Sequence, residues 1–426
     1  MSVLPSPSNT SAPQSKGYEA NLDDLLLRFA VGPGRQLNIN TAPLQAQAIQ
    51  TSETPEDFQQ EFGQIYSRTD FSGGSGLDKA HRRNKGELDF TRFWDSKGVD
   101  VFSGKEVGQE YKVSLLKSTE ELSSSTNTNL YMEEMGGSIF FADSDVLKRI
   151  DTPTATSISV TSETAPSAGN AITGLAVLGT QLYIVANGVI YKRTGASTYS
   201  TFNSTKTFSK IWSMKGRIVA SDTSGDLYQV TSASSPTTMK TLPTGTEWTD
   251  LADGGAVVLG AASDGYIYSF ADESSSLTLK GQTFIEGEVP NAIDAAQGFI
   301  FYGTFQNTAS GKIGRLYRAE ITNANSLYVL VNAQLIKQWG DGTTTIDQSP
   351  YKIISTRDSI YTGIKDSGSV TNLWRYYLPT TGIARDLEFA EGGIVEGLAV
   401  FSDRIFATIS GGGLYREATT FVSSGY

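Results

Sequence analysis

After residue 130 the chain repeats one pattern of apolar and polar positions seven times. An apolar, β-type run ends in a short polar or Gly-containing turn. A second apolar run follows, then a Ser/Asp/Gly-rich break, then a third run carrying a large apolar or aromatic residue. In compact form it reads Gly216-Arg217-Ile218-Val219-Ala220, a break, and Asp226-Leu227-Tyr228-Gln229. The other copies centre on Ile139 with Leu147, Leu182 with Tyr191, Val257 with Tyr268, Phe299 with Tyr317, Ile360 with Trp374, and Ile405 with Tyr415. Runs such as Ile172-Thr173-Gly174-Leu175-Ala176-Val177 precede the markers, joined to them by hairpin turns such as Lys215-Gly216 and Gly254-Gly255. Thr/Ser-rich runs such as Ser157 to Ser162 and Thr198 to Ser204 end most units, as expected of exposed edges.

Markers spaced about 40 residues apart, with several β-runs per unit, predict a mainly β chain built as a seven-bladed β-propeller of four-stranded antiparallel blades. The expected propeller spans residues 116–426, and a solenoid would need polar caps that the chain lacks. Small residues after the markers, Ala142, Ala186, Ala220, Gly260, Gly303, Gly363 and Ala407, suit strands that crowd toward a central axis. Whether the strand-like run Tyr111 to Leu116 closes the ring stays open at this level.

Before the repeats the pattern changes. Residues 1–20 read as an extended arm, and 21–115 as a docking region with one or two short helices and Gly/aromatic loops. Asn21 to Phe29 has an Asn cap, acids in a first turn and apolar residues three and four apart; Thr54 to Phe62 has a Thr cap and Pro55 at the first helical position. In the fifth and sixth repeats the break between runs lengthens, and residues 327–349 form a long exit. These insertions predict a raised lip of binding loops, with Trp339, Asp341, Lys365 and Asp366 as candidate contacts to a ligand or host surface.

Composition narrows the chemistry. The 426 residues are 38% hydrophobic, and 34 basic against 45 acidic side chains leave a formal charge of -11, which disfavours a broad nucleic-acid surface. No cysteine and a single histidine, His81, remove disulfides, thiol nucleophiles, His-based triads and His/Cys metal cages. The Ser/Pro/Asn-rich start lacks the apolar run of a signal peptide, and no stretch approaches the roughly 18 to 20 apolar residues of a membrane span. Asp222 to Asp226 and Asp341 to Thr343 are oxygen-rich but match no full calcium loop, and Gly73-Gly74-Ser75-Gly76 lacks the Lys-Ser/Thr of a phosphate loop. No cofactor is expected. Carboxylate-only catalysis of the glycosidase or lyase kind remains an alternative, although no sialidase-type Ser-x-Asp-x-Gly-x-x-Trp box is present.

Asp264-Gly265-Tyr266-Ile267-Tyr268 resembles the blade phrase of quinoprotein-like propellers, a likeness of architecture alone. The segment Arg68 to Val101, with Asp70-Phe71-Ser72-Gly73-Gly74 and Arg92-Phe93-Trp94-Asp95-Ser96-Lys97-Gly98-Val99-Asp100, resembles the N-terminal signature of tailed-bacteriophage tail proteins that carry a C-terminal β-propeller. The likeness covers about 35 residues closely. It implies a non-enzymatic structural protein of the virion tail, near the tip or hub, made in the host cytoplasm and assembled symmetrically with other tail proteins. Phe71, Gly73, Gly74, Arg82, Arg83, Arg92, Phe93 and Trp94 are then the expected assembly interface. The alternative is a receptor-binding module that grips a host glycan through the loops of blades five and six, with Trp339 and Trp374 near enough to stack on sugar rings, although packing between blades is the expected job of Trp374.

Overall fold

The computed structural model describes residues 17–22, 25–31, 36–43, 66–67, 71, 73–75, 92–93, 96–102 and 113–423, apart from 233, 274, 343 and 344. The described residues form β-strands, and no helix is found among them. The chain divides into two compact units.

The first unit takes in residues up to Leu116, together with Thr380–Ala384 and the chain from Phe421. Its strands are β1 (Gly17–Leu22), β2 (Leu25–Val31), β3 (Gln36–Pro43), β4 (Tyr66–Ser67), β5 (Gly74–Ser75), β6 (Arg92–Phe93), β7 (Val99–Asp100) and β8 (Val113–Leu115). One sheet runs β1-β2-β3-β8-β7, with β4 on β3. The helix expected over Asn21 to Phe29 is replaced by the β1–β2 hairpin, in which Leu22 pairs with Leu25 and Gly17 with Ala30. Leu25, Leu27, Phe29 and Val31 also recur with period two, so the same residues satisfy a strand, and pairing with β3 decides the matter. Thr54 to Phe62, His81, Arg82, Arg83 and Trp94 lie outside the described residues.

The second unit, Lys117–Pro379 with Arg385–Thr420, is the seven-bladed propeller. It opens with β9 (Lys117–Ser124). Blade one is β10 (Met132–Met135), β11 (Ser138–Asp143), β12 (Val146–Ile150) and β13 (Thr161–Thr164). Blade two is β14 (Ile172–Leu178), β15 (Gln181–Ala186), β16 (Val189–Gly195) and β17 (Thr198–Asn203). Blade three is β18 (Phe208–Met214), β19 (Arg217–Asp222), β20 (Asp226–Val230) and β21 (Thr237–Thr241). Blade four is β22 (Trp248–Asp253), β23 (Val257–Ala262), β24 (Tyr266–Glu273) and β25 (Ser276–Phe284). Blade five is β26 (Val289–Ala296), β27 (Phe299–Asn307), β28 (Lys312–Ala324) and β29 (Leu327–Trp339). Blade six is β30 (Ile353–Ser355), β31 (Ser359–Lys365), β32 (Thr371–Tyr377) and β33 (Gly382–Phe389). The last blade is β34 (Val395–Phe401), β35 (Arg404–Ile409) and β36 (Gly413–Phe421), completed by β9.

That last pairing closes the ring. Ser118 Oγ lies 2.6 Å from Thr420 Oγ1, Thr119 Oγ1 donates to Glu388 O at 3.0 Å, and Ser125 N donates to Gly412 O at 3.0 Å. Arg416, 2% exposed, anchors the seam by pairing with Glu120 and donating to the carbonyls of Ala155 and Thr156. The closing strand thus lies just past the Tyr111 to Leu116 run.

The repeated phrase is the second strand of each blade with the third. Neighbours on both sides bury the second strand on both faces, as in β23, where all six residues are buried, so it reads as an unbroken apolar run. Lys215 and Gly216, both at positive φ (51° and 70°), make the β18–β19 turn a two-residue hairpin of the kind that matches strand twist. The outer strands are the Thr/Ser-rich ones: β21 is exposed or half-buried throughout.

The core lies between blades. Phe208, Ile211 and Tyr228 of blade three pack with Ala176, Tyr183 and Val185 of blade two. Trp248 and Leu251 of blade four pack with Val219 and Leu227 of blade three. Trp248 is fully buried, with its indole N–H on Gly225 O at 3.0 Å. Burying each such side chain is worth roughly 1.5–3 kcal/mol. The small residues after the markers answer to this packing rather than to the axis. A Cβ on Gly363 would lie 2.1 Å from Val395 of the last blade, and one on Gly303 would lie 2.5 Å from Pro350, just ahead of β30.

Candidate functional site: the axial channel

The innermost strand of each blade is the run before the marker. Register relates these strands. In blades two, three, four, five and seven the pairing slips by one residue at the same place, leaving Thr173, Ser209, Thr249, Asn291 and Glu396 opposite no partner. Such a β-bulge bends the strand and re-aims the side chains around it. Two residues beyond each bulge, the positions Leu175, Ile211, Leu251, Ile293 and Leu398 are all buried and apolar, as are Met132 and Ile353 at the same place in blades one and six. Leu175, Ile211, Leu251 and Leu398 each pack against the preceding blade.

The alternate positions carry the polar groups, and these reach forward. Lys210 Nζ donates to Trp248 O at 2.9 Å, and Trp212 Nε1 to Asp250 Oδ1 at 3.2 Å. Thr249 Oγ1 donates to Pro290 O at 3.0 Å, and Ile293 N to Asp250 Oδ2 at 3.3 Å. Asn291 Nδ2 donates to Pro350 O at 3.2 Å, and Ser355 N to Asp294 Oδ2 at 2.6 Å. From blade three to blade six, each inner strand is therefore hydrogen-bonded to the next one.

These strands enclose a cavity of about 280 Å³ lined by residues of all seven blades. Four carboxylates line it (Glu133, Glu247, Asp250 and Glu396), against the ammonium groups of Lys210 and Lys352. Lys352 Nζ stands 3.6 Å from Asp250 Oδ1, and its side chain stays 34% open to the channel despite its depth in the unit. Asp250, followed by Glu133 and Asp294, holds the Lys352 ammonium above the usual lysine range in spite of burial. Burial raises the Asp294 carboxyl, opposed by the amides of Ala295 and Ser355.

Glu133 and Glu396 are different. No hydrogen bond from a described residue reaches either carboxylate. Burial pushes Glu133 up to about 7, opposed by Lys352 and assisted by Asp250. Burial likewise pushes Glu396 up to about 7, opposed by Lys210. Tyr131, beside them on the cavity wall, is raised to about 12 by burial and by the charges of Glu396 and Glu247.

The residues expected from the sequence lie elsewhere. Phe71 and Phe93 are buried within the first unit, 7% and 6% exposed, with ring centroids 6.2 Å apart. Gly73 and Gly74 are buried as well. Gly74, at φ 76°, pairs in parallel with Ile383 and with Arg92, and a Cβ there would lie 2.3 Å from Ile383 N. These aromatic and glycine positions pack within the first unit. Trp339 is 6% exposed and sits edge-on to Trp374, with centroids 5.7 Å apart, while Lys337 Nζ lies 4.4 Å from the Trp374 ring centre. Neither indole offers a free face to a sugar. Asp341 follows β29 and is exposed; Lys365 ends β31, half-buried, and Asp366 begins the exposed turn beyond it.

Blade five's extra length is strand, not loop. The 13-residue β28 and β29 meet at Asn325 and Ser326, both at positive φ, and the hairpin straps back onto blade four. There Ser269 Oγ donates to Tyr328 O at 2.6 Å, and Leu330 N to Thr283 Oγ1 at 2.9 Å. The oxygen-rich stretch at Asp222 is a turn, its Oδ1 accepting the amides of Ser224 and Asp226, each at 2.9 Å. Sequence reasoning passed over the channel charges. Their signal is a charged residue inside an otherwise apolar inner run, as in Lys210-Ile211-Trp212 or Asp250-Leu251-Ala252, visible once the repeats are aligned on their bulges.

The fold defines the class: this is a seven-bladed β-propeller protein. In sequence, no protein-family model and no curated protein matches it. In structure, many solved chains are similar. A chain of the mitotic checkpoint complex covers 72% of this chain and 96% of its own length, at 10% identity and a TM-score of 0.50. The Cps50 (Swd1) β-propeller domain of Myceliophteria thermophila covers 71% of this chain and 100% of its own length, at 12% identity and a TM-score of 0.51. YCF48 bound to D1 peptide covers 71% and 95%, at 10% identity and a TM-score of 0.50. At such identity the likeness is one of fold.

Proposed function

We propose that this chain is a non-enzymatic structural component of a bacteriophage tail, held in a symmetric assembly through its N-terminal region and displaying the propeller. The observation that carries this reading is the folded state of the signature segment. Phe71, Gly74, Phe93 and Val99 of the phage-like stretch are built into one buried unit, as a structural signature requires and a passive linker does not. The family resemblance supplies the tail context, and the closed ring supplies a rigid body to display. Contacts to neighbouring tail proteins then fall on the outer surface of the first unit instead of on Phe71 and Phe93. Cross-linking mass spectrometry of purified phage particles tests this: cross-links from residues 1–116 to other tail proteins are expected. Particles that lack the protein, or that carry it with no such cross-link, overturn the reading.

A further inference from the structure

We propose that the axial cavity is a binding site for an organic cation, an ammonium or guanidinium group carried either by a small amine or by a Lys or Arg side chain of a partner. The proposal does not depend on the tail reading. Its basis is an imbalance of partners. Lys210 is engaged by Trp248 O and, at 3.4 Å, by Glu247; Lys352 is engaged by Asp250; and both oxygens of Asp250 accept backbone or indole N–H groups. Glu133 and Glu396 line the same cavity and receive no hydrogen bond from any described residue. Both side chains are half-buried, so their carboxylates face the channel with no protein donor, and a matching cation is the partner that such groups favour.

The cavity selects the kind of cation. Its volume of about 280 Å³ suits one side chain or a small amine, below the size of drug-like ligand pockets. Tyr131, Trp212 and Tyr351 supply aromatic wall, which attracts alkylammonium and guanidinium groups. Among the described residues, no three acidic or histidine side chains converge closely enough to hold a metal ion, so the acids are spread for a larger, hydrogen-bonding cation.

Titration follows from the same geometry. Glu133 faces Lys352 and Asp250, and Glu396 faces Lys210 and Tyr131. With both carboxyls pushed up to about 7, the empty cavity is partly protonated at neutrality, and an entering cation displaces those protons. Affinity therefore rises with pH, by roughly tenfold per carboxyl between pH 6 and pH 8.

Isothermal titration calorimetry on the full chain tests the site, with argininamide, 1,5-diaminopentane and a capped Gly-Arg-Gly peptide as probes and 1,5-pentanediol as the neutral control. The expected result is one cation per chain, at least tenfold tighter at pH 8 than at pH 6, with no heat from the diol. The double variant Glu133→Gln, Glu396→Gln should weaken cation binding at least tenfold and flatten its pH dependence, with a melting temperature at pH 8 no lower than that of the parent. Tighter binding of the free amines identifies a small molecule as the source, and tighter binding of the peptide identifies a partner side chain. Equal binding of diol and diamine, equal affinity at the two pH values, undiminished binding by the folded double variant, or no binding of any cationic probe overturns the proposal. None of these outcomes changes the cross-linking result, so the two readings fail separately.

Discussion

Each inner strand of the propeller has two faces that obey different rules. Toward the preceding blade, Met132, Leu175, Ile211, Leu251, Ile293, Ile353 and Leu398 are apolar and buried in all seven blades. Toward the following blade, the equivalent positions hold residues as unlike as Ala176, Trp212, Ala252 and Asp294. The uniform face is fixed by packing, because each blade must bury the same surface against its neighbour. The variable face is hydrogen-bonded at some blades, filled by alanine at others and charged where it borders the channel. A single strand can thus carry the fold on one side and individuality on the other.

Three substitutions probe this contrast. Leu251→Ala, on the uniform face, should have the largest effect, destabilising the propeller by about 2–5 kcal/mol in urea unfolding through lost burial and a cavity. Asp250→Asn, on the variable face, should cost about 1–3 kcal/mol, since it removes the charge opposite Lys352 and offers only one acceptor oxygen to the N–H groups now shared between two. Glu133→Gln should do the reverse. With its folded pKa raised to about 7 and the unfolded carboxyl ionising near 4.5, Glu133 costs nothing below the lower value. Stability is then lost as pH rises toward 7, and the loss is complete above it. The variant should match the parent at pH 4 and exceed it at pH 8 by about 1–2 kcal/mol, less than the roughly 3 kcal/mol of the full shift because solvent screens the half-buried side chain, measured as the difference between urea midpoints at the two pH values. An equal gain at both pH values would mean that Glu133 is not enclosed as described.

The same contrast sets what could be read from the sequence. Seven blades, their hairpins and their Thr/Ser-rich outer strands were legible because burial on both sides makes β11, β15, β19 and their counterparts unmistakably apolar. The channel was not, because Glu133, Asp250 and Lys352 are far apart in the chain and meet only once the ring closes. The β1–β2 hairpin was missed because Leu25 to Val31 fits both a strand and a helix, and only long-range pairing separates them. Trp339 was misjudged because its exposed-looking Gly/Asp surroundings follow the point at which the ring turns in against Trp374.

The seam in the last blade also sets a clock. Ser118 and Thr420, which lie side by side in the finished ring, are 302 residues apart in the chain. At ribosomal rates of roughly 5–20 residues per second, β9 leaves the ribosome about 15–60 s before its partner strand exists. During synthesis six blades can stack in order, but the ring stays an open arc, with an unpaired strand at one end and an uncovered blade at the other. A nascent chain that stalls near its end therefore presents two adhesive surfaces at once, each shaped to fit the opposite end of another arc.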